Sequence, residues 1–183
     1  MNLFLISTKL KNQFPVVREE LETHPQKAAV LVILFIRNHK ACVLMTKRAM
    51  HLQTHAGQIS FPGGMPEPGD EDLLSTAIRE TREEVGVIMT PRSVIGRLDG
   101  VRTRNGIDIT PFVSILDSPL DEIFCNDEVH EALQIPLAPL LATQQPDVGF
   151  KPSEGMVVYW YKHHRIWGAS AKILQQIENL GVL

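Results

Sequence analysis

The chain has 183 residues, of which 44% are hydrophobic and 21% are charged, and its formal net charge of −3 argues against a protein that coats nucleic acid. This length suits one domain with a packed core, and no apolar run reaches the length of a membrane span. Since the chain begins without a secretory-signal pattern and contains only two cysteines, we expect a cytoplasmic monomer or homodimer that binds neither nucleic acid nor membrane.

The N-terminal part of the chain is expected to contain a short segment followed by two strands. Residues 1–26 are predicted to be helical, with a helix near Val16–Thr23, and to pack on a domain formed by residues 27–183. The strongly apolar run Ala28–Ile36 predicts a buried strand, and Ala41–Thr46 predicts a second strand. The polar residues between these runs are typical of a turn that joins the two strands.

An amphipathic helix is predicted for about Glu71–Val85. Its mostly apolar stripe recurs at helical spacing and consists of Leu74, Ala77, Ile78, Thr81 and Val85. The turn Pro68–Asp70 precedes the helix, and Gly86 is a typical stop signal after it. Three glutamates of this helix fall outside the apolar stripe and are therefore expected on its polar side.

These glutamates, Glu80, Glu83 and Glu84, stand at positions i, i+3 and i+4 of the helix. Like charges at this spacing repel by a few tenths of a kcal/mol per pair, roughly. A hard divalent cation such as Mg²⁺ converts the same carboxylates into ligands, because it binds carboxylate oxygens together with substrate phosphates. An ordinary solvated acidic helix face is the alternative for an isolated Glu-x-x-Glu-Glu pattern, but the flanking residues described below favour metal-assisted chemistry on a phosphate.

Further strands alternate with short helices in the second half of the chain. Strands are expected at about Ser93–Val101, Ile107–Leu116, Glu131–Ile135 and Met156–Tyr161, and helices at about Pro136–Ala142 and Ala169–Leu180. Strands interrupted by a few helices indicate an α/β or an α+β protein, and periodicity alone does not choose between them.

The region from Gly64 to Val87 resembles the Nudix box, G-x5-E-x7-R-E-U-x-E-E-x-G-U, in which U is aliphatic. The matching residues are Gly64, Glu71, Arg79, Glu80, Glu83, Glu84, Gly86 and Val87. Two departures are present, since Glu71 lies six residues after Gly64 instead of five, and Thr81 occupies an aliphatic position. Asp70 would restore the five-residue spacing after Gly64 but would break the seven-residue spacing before Arg79. We assign the glutamate role to Glu71, because a loop absorbs an extra residue more easily than a helix.

The Nudix resemblance implies a fold and a set of site residues. It implies an α/β Nudix fold, in which a mixed β-sheet is sandwiched between α-helices. Glu80, Glu83, Glu84 and the backbone carbonyl of Gly64 would bind Mg²⁺ or Mn²⁺, while Arg79 and Glu71 would hold the metal-binding carboxylates in position. The catalytic base would be Glu83 or a glutamate on a distant loop. Glu128 and Glu131 lie in the corresponding place, with Glu128 as the candidate, and a solvated strand end is the alternative for both.

The preceding segment, Leu44 to Gly64, resembles the coenzyme A pyrophosphatase branch of the family, L-L-T-x-R-[SA]-x3-R-x3-G-x3-F-P-G-G. Met45 replaces a leucine of this pattern, and Gln53 replaces its second arginine. The other motif positions are kept, and among them we expect Arg48, Gly57 and Gly63 to contribute to substrate binding, with the Arg48 guanidinium on a phosphate. Arg102 and Arg104 flank an Asn-Gly turn and either reach the cleft or face solvent.

This second resemblance implies a small-molecule substrate. The expected reaction is cleavage of the diphosphate of coenzyme A and its thioesters to 4′-phosphopantetheine, free or acylated, and adenosine 3′,5′-bisphosphate. Hydrolysis of ADP-ribose or of other nucleoside diphosphate derivatives is one alternative, because Gln53 departs from the branch pattern. A non-catalytic nucleotide-binding module is the other, although such modules typically lose a carboxylate of the box.

Overall fold

The apolar runs near the N-terminus form the centre of the protein in a computed structural model that describes residues 2–18, 26–120, 122–148 and 155–181. Strand β1 spans Lys27–Arg37 and strand β2 spans Lys40–Arg48, and the two pair antiparallel. The turn between them contains Asn38 and His39, both with positive φ. Both predicted strands are confirmed, with ends that lie one or two residues further out.

The remaining strands extend the sheet on both sides of β1 and β2. The strands are β3 (Ile59–Ser60), β4 (Gly63–Gly64), β5 (Val94–Arg97), β6 (Val101–Arg102), β7 (Asp108–Leu116) and β8 (Val129–Pro136). Strand β1 pairs parallel with β7 and antiparallel with β2 and β4, so the sheet is mixed. Strand β2 pairs with β8 along the edge away from β1, which brings the start of β8 beside the end of β2, and the short β3 pairs with Thr46 and Lys47 on the opposite edge of β2. Among the described residues, three short strands form a second sheet: β9 (Gln145–Pro146), β10 (Val157–Tyr161) and β11 (His164–Ile166).

Helices cover both faces of the main sheet. Helix α2, Leu73–Val85, packs on the face that carries Leu31, Ile33 and Phe35 of β1. The opposite face carries Val32 and Leu34 and packs against α1 (Leu3–Gln13), α3 (Leu137–Leu141) and α4 (Gly168–Gly181), and a 3₁₀ turn at Pro91–Ser93 precedes β5. This alternation along β1 follows from the two-residue period of a strand that is buried on both faces. The predicted α/β class is confirmed.

The N-terminal helix lies earlier in the chain than the sequence pattern suggested. Helix α1 covers Leu3–Gln13, begins at an Asn2 cap, and buries Leu3, Ile6 and Leu10, which share one face. The helix predicted near Val16–Thr23 is wrong for Val16–Arg18, which are not helical, and its other residues lie outside the described part of the chain. None of the helices within the described ranges is both long and apolar enough to cross a lipid bilayer.

Helix α2 is fixed at both ends by its own sequence. Asp72 caps the N-terminus, because its side chain accepts the Ser75 amide hydrogen while its own amide donates to the Ser75 hydroxyl. Arg18 also binds the Asp72 carboxylate, and so ties the N-terminal segment to this cap. Gly86 ends the helix in the left-handed region with φ of 71°. Thr81, at the aliphatic position of the motif, is buried and donates its hydroxyl hydrogen to the Ala77 carbonyl at 2.7 Å.

Candidate active site

The polar side of helix α2 faces a cleft of about 280 Å³. The cleft is bounded by the helix, by the loop that follows β4, and by the loop that precedes β8. Its lining residues are Arg48, Gly63, Gly64, Met65, Glu67, Glu80, Glu83, Glu84, Asn126 and Glu128. The structure therefore brings the three glutamates of the helix together with Gly63, Gly64, Arg48 and Glu128.

Glu84 forms the buried floor of this cleft. Its residue surface is only 4% exposed, and its Oε2 accepts the Gly63 amide hydrogen with an N–O distance of 3.1 Å. Burial raises the pKa of Glu84 to about 7, and the negative charges of Glu80 and Glu128 act in the same direction against the Gly63 amide and Arg48. A carboxylate in this environment needs a nearby positive charge to remain ionised.

Two glycines allow the backbone to approach these carboxylates. A Cβ atom on Gly64 would lie 2.3 Å from Oε1 of Glu80, and one on Gly63 would lie 2.2 Å from the Ala29 carbonyl oxygen. Gly63 also has φ of 150°, which side chains rarely adopt. Gly63 therefore requires glycine, whereas a side chain at Gly64 would displace the Glu80 carboxylate; the backbone of β4 forms one wall of the cleft.

Glu80 and Glu83 are held by Arg79. Nη1 of Arg79 lies 3.1 Å from Oε1 of Glu80 and 3.0 Å from Oε2 of Glu83. Burial raises the pKa of Glu80, and the Arg79 charge opposes that rise. Glu83 is half exposed, with 52% of its side-chain surface open, and lies at the rim of the cleft.

Arg79 is fixed in turn by Asp70. Nε of Arg79 donates a hydrogen bond to Oδ1 of Asp70, and Nη2 donates one to Oδ2, both at 3.0 Å. Nη2 also donates to the Met65 carbonyl at 3.1 Å. Burial acts to raise the pKa of Asp70, but the hydrogen bonds from Arg79, the Glu67 amide and Thr76 outweigh it and hold that pKa below its usual value. Arg79 thus joins the loop before the helix to two of the three glutamates.

The structure does not bring Glu71 to the three glutamates, and Asp70 contacts Arg79 where Glu71 was expected to act. The Glu71 side chain is 80% exposed and pairs with Arg18 at 3.1 Å, away from the three glutamates of the helix. Helix α2 begins at Leu73 instead of Glu71, so the inserted residue lies between Asp70 and the helix. The spacing of five residues after Gly64 is kept, and the helix register is not disturbed.

A comparison of two variants tests this correction. Asp70→Asn is expected to lower kcat about 10- to 100-fold and the free energy of unfolding by about 2 kcal/mol, because Arg79 loses its charged partner. Glu71→Gln is expected to change the free energy of unfolding by less than about 0.5 kcal/mol, because exposed pairs contribute little. Steady-state kinetics and urea unfolding of both proteins measure the difference. Equal effects, or a larger effect at Glu71, would contradict the assignment.

The donor atoms in the cleft suit a hard divalent cation. Glu80, Glu83 and Glu84 provide carboxylate oxygens and Gly64 borders them, which is the oxygen chemistry that Mg²⁺ prefers. Within residues 2–18, 26–120, 122–148 and 155–181, no three acidic, histidine or cysteine side chains are already arranged as a metal-ligand group. Nη1 of Arg79 contacts both Glu80 and Glu83, so the side chain that orients these two carboxylates would share them with a bound cation.

The other predicted binding residues divide into two groups. Arg48 and Glu128 line the cleft, with Nη2 of Arg48 lying 3.7 Å from Oε2 of Glu128. Arg102, Arg104 and Gly57 are not among the residues that line this cleft, and a role for them in substrate binding stays a prediction. Arg102 pairs with Asp108, Arg104 donates to the Met156 sulfur, and Gly57 closes the loop after β2 beside Met50. Gln53, which replaces a motif arginine, is exposed in the same loop.

The cleft contains residues that the sequence pattern did not single out. Asn126 donates its backbone amide hydrogen to the Glu84 carbonyl at 3.1 Å, and its side-chain oxygen accepts the Glu128 amide hydrogen at 3.0 Å. Glu67 and Met65 lie in the loop after β4 and line the opposite side. The Asn126-Asp127 pair is a turn signal, but only the fold shows that this turn meets the end of helix α2.

Comparisons with known proteins assign most of this chain to one family. Residues 25–175 match the NUDIX domain family. A protein called uncharacterized Nudix hydrolase NudL in Salmonella paratyphi B is 34% identical over 172 residues, which cover 91% of this chain and 90% of that relative. A protein with the same name in Salmonella newport matches with the same identity and coverage.

Two solved structures resemble the fold over nearly the whole chain. A MutT/nudix family protein from Enterococcus faecalis has a TM-score of 0.61 at 12% identity and covers 98% of this chain and 74% of its own. The NUDIX domain of NrtR from Shewanella oneidensis, solved with ADP ribose, has a TM-score of 0.57 at 17% identity and covers 96% of this chain and 98% of its own. At these identities the likeness concerns the fold, and the predicted mixed sheet between helices is confirmed.

Proposed function

Since this chain belongs to the Nudix family and is a Nudix hydrolase, we propose that it cleaves the diphosphate of coenzyme A and its thioesters with the help of Mg²⁺ or Mn²⁺. The observation that supports this substrate is the placement of the segment from Leu44 to Gly64. This segment resembles the coenzyme A pyrophosphatase branch, and it contributes Arg48, Gly63 and Gly64 to the cleft. The segment with the branch pattern is therefore also a wall of the site.

The metal-binding group in this proposal consists of Glu80, Glu83 and Glu84, with the carbonyl of Gly64. A bound divalent cation would neutralise diphosphate oxygens and make a water molecule more acidic. The cleft is otherwise strongly acidic, so a diphosphate would be repelled without added positive charge. Glu84 supports this role most directly, because its burial in the absence of a strong cationic partner gives it the raised pKa described above.

The protein side chains have three further roles in the proposed reaction. Arg79 and Asp70 keep Glu80 and Glu83 on the cleft side of the helix. Glu128, which is 56% exposed at the rim, would accept a proton from the attacking water, and Glu83 is the alternative base. The water oxygen bonds to one phosphorus while the bridging P–O bond breaks, so the products are adenosine 3′,5′-bisphosphate and 4′-phosphopantetheine or its acyl form.

ADP-ribose hydrolysis is the second candidate function. It is favoured by Gln53, which removes an arginine from the branch pattern, and by the ADP ribose bound to the structurally similar NrtR domain. Gln53 is exposed and does not line the cleft, so its substitution leaves the described cleft charges unchanged. We therefore rank coenzyme A first.

A product analysis distinguishes these substrates. The purified chain is incubated with Mg²⁺ or Mn²⁺ and CoA, acetyl-CoA, ADP-ribose, NADH or dGTP, and the products are separated by chromatography. We expect adenosine 3′,5′-bisphosphate from the two coenzyme A compounds, with kcat/KM at least about tenfold above that for ADP-ribose. A preference for ADP-ribose would overturn the coenzyme A proposal, and Glu83→Gln serves as the low-activity control.

A further inference from the structure

Arg48 and Glu128 are neighbours across two strands of the main sheet. Arg48 at the end of β2 is opposite Val129 at the start of β8, at a register shift between Lys47 and Arg48. The Ala49 amide hydrogen bonds to the Glu128 carbonyl oxygen at an N–O distance of 2.8 Å. The backbone of Glu128 is therefore fixed to the strand that carries Arg48, although its carboxylate is largely exposed.

The Arg48 guanidinium lies between two carboxylates of the cleft. Nη1 is 4.0 Å from Oε1 of Glu84, and Nη2 is 3.7 Å from Oε2 of Glu128. The Arg48 side chain is 24% exposed, and its Nε is buried without a hydrogen-bond partner among the described residues. A planar guanidinium can attract one carboxylate at each of its two outer nitrogens, whereas a lysine ammonium is a single point of charge.

We propose that Arg48 is a positioning residue that holds the Glu128 carboxylate beside Glu84 in the cleft. The proposal rests on the proposed hydrolase function, but it does not depend on which diphosphate is the substrate. Without Arg48, the exposed Glu128 side chain would be free to turn toward water, and the negative charges of Glu84 and Glu128 would no longer be separated by a cation. Arg48 would then affect the turnover step more than substrate affinity.

A double-mutant cycle tests this role on whichever diphosphate compound the enzyme hydrolyses fastest. Glu128→Gln is expected to lower kcat about 100-fold, and Arg48→Ala about 30-fold with KM changed less than about threefold. The double variant is expected to be no slower than Glu128→Gln alone, because Arg48 would act through Glu128. Arg48→Lys should recover only part of kcat, and Lys40→Ala, at the exposed other end of β2, should leave it unchanged.

Two kinetic results would overturn the proposal. Multiplied losses in the double variant, together with an increase in KM for Arg48→Ala, would show that Arg48 binds the substrate and would overturn the proposal. Full activity of Glu128→Gln would overturn it as well. A change of preferred substrate in the product analysis would affect only the proposed function, since the cycle compares variants on one substrate.

Discussion

Glu84→Gln is expected to reduce kcat by about 10³-fold, equivalent to about 4 kcal/mol of transition-state stabilisation. The substitution removes a negative charge from the floor of the cleft but keeps an oxygen that can accept the Gly63 amide hydrogen. Steady-state kinetics at saturating Mg²⁺ measure the loss. Glu122→Gln, an exposed substitution in the loop before β8, is the control, and activity of Glu84→Gln within tenfold of the unsubstituted enzyme would contradict the metal-binding assignment.

Without bound metal, Glu84→Gln is expected to be more stable than the unsubstituted protein at alkaline pH. Because burial raises the pKa of Glu84 from 4.5 to about 7, the folded state keeps a proton that the unfolded state releases between these two values. The contribution of Glu84 to stability is fully present below pH 4.5 and is lost as the pH rises through 7, at a total cost of about 3 kcal/mol. Glu84→Gln avoids this loss.

Denaturant unfolding with EDTA measures this effect directly. Glu84→Gln should be more stable than the unsubstituted protein at pH 8, and the difference should diminish toward pH 5. Added Mg²⁺ or Mn²⁺ should stabilise the unsubstituted protein more than the variant, because the ionised Glu84 carboxylate is a stronger metal ligand than the glutamine amide. The stability difference between Glu84→Gln and the unsubstituted protein is the quantity to compare. If this difference favours the variant less at pH 8 than at pH 5, the direction of the Glu84 pKa shift is contradicted.

Arg79→Ala is expected to cause the largest combined loss of stability and activity. Asp70, whose side chain is only 5% exposed, would keep a buried charge without its main partner, at a cost of about 3 kcal/mol. Glu80 and Glu83 would lose the cation that orients them, and kcat should decrease by about 10³-fold. Thermal unfolding and steady-state kinetics measure the two effects.

Arg82→Ala is the matched control for this experiment. Arg82 is three residues further along the same helix and is exposed, so its removal tests the loss of an arginine without the loss of the Asp70 contact. Its effect on the free energy of unfolding should be less than about 0.5 kcal/mol. Arg79→Lys should recover part of the stability but little of the activity, because one ammonium cannot contact Asp70, Glu80 and Glu83 together.

The central strands and the box helix could be predicted from the sequence because their signals are local. The run Ala28–Ile36 is apolar throughout, and the glutamates of the helix are separated by helical spacing. Glu71 was preferred to Asp70 because the choice depends on where the helix begins, and the Asp72 cap sets that point two residues later than expected. The cleft position of Asn126 depends on a hydrogen bond to the end of α2, which is a tertiary contact without a sequence pattern.

The pairing of Arg18 with the Asp72 cap affects how a minimal version of this enzyme should be designed. The family match begins at residue 25, so a fragment cut at that boundary would contain the whole box but lack Arg18 and helix α1. It would expose the face of β5 on which Leu10 packs against Gly96, and it would leave Asp72 without its arginine. The smallest unit that preserves the catalytic helix therefore extends upstream of the family's own boundary.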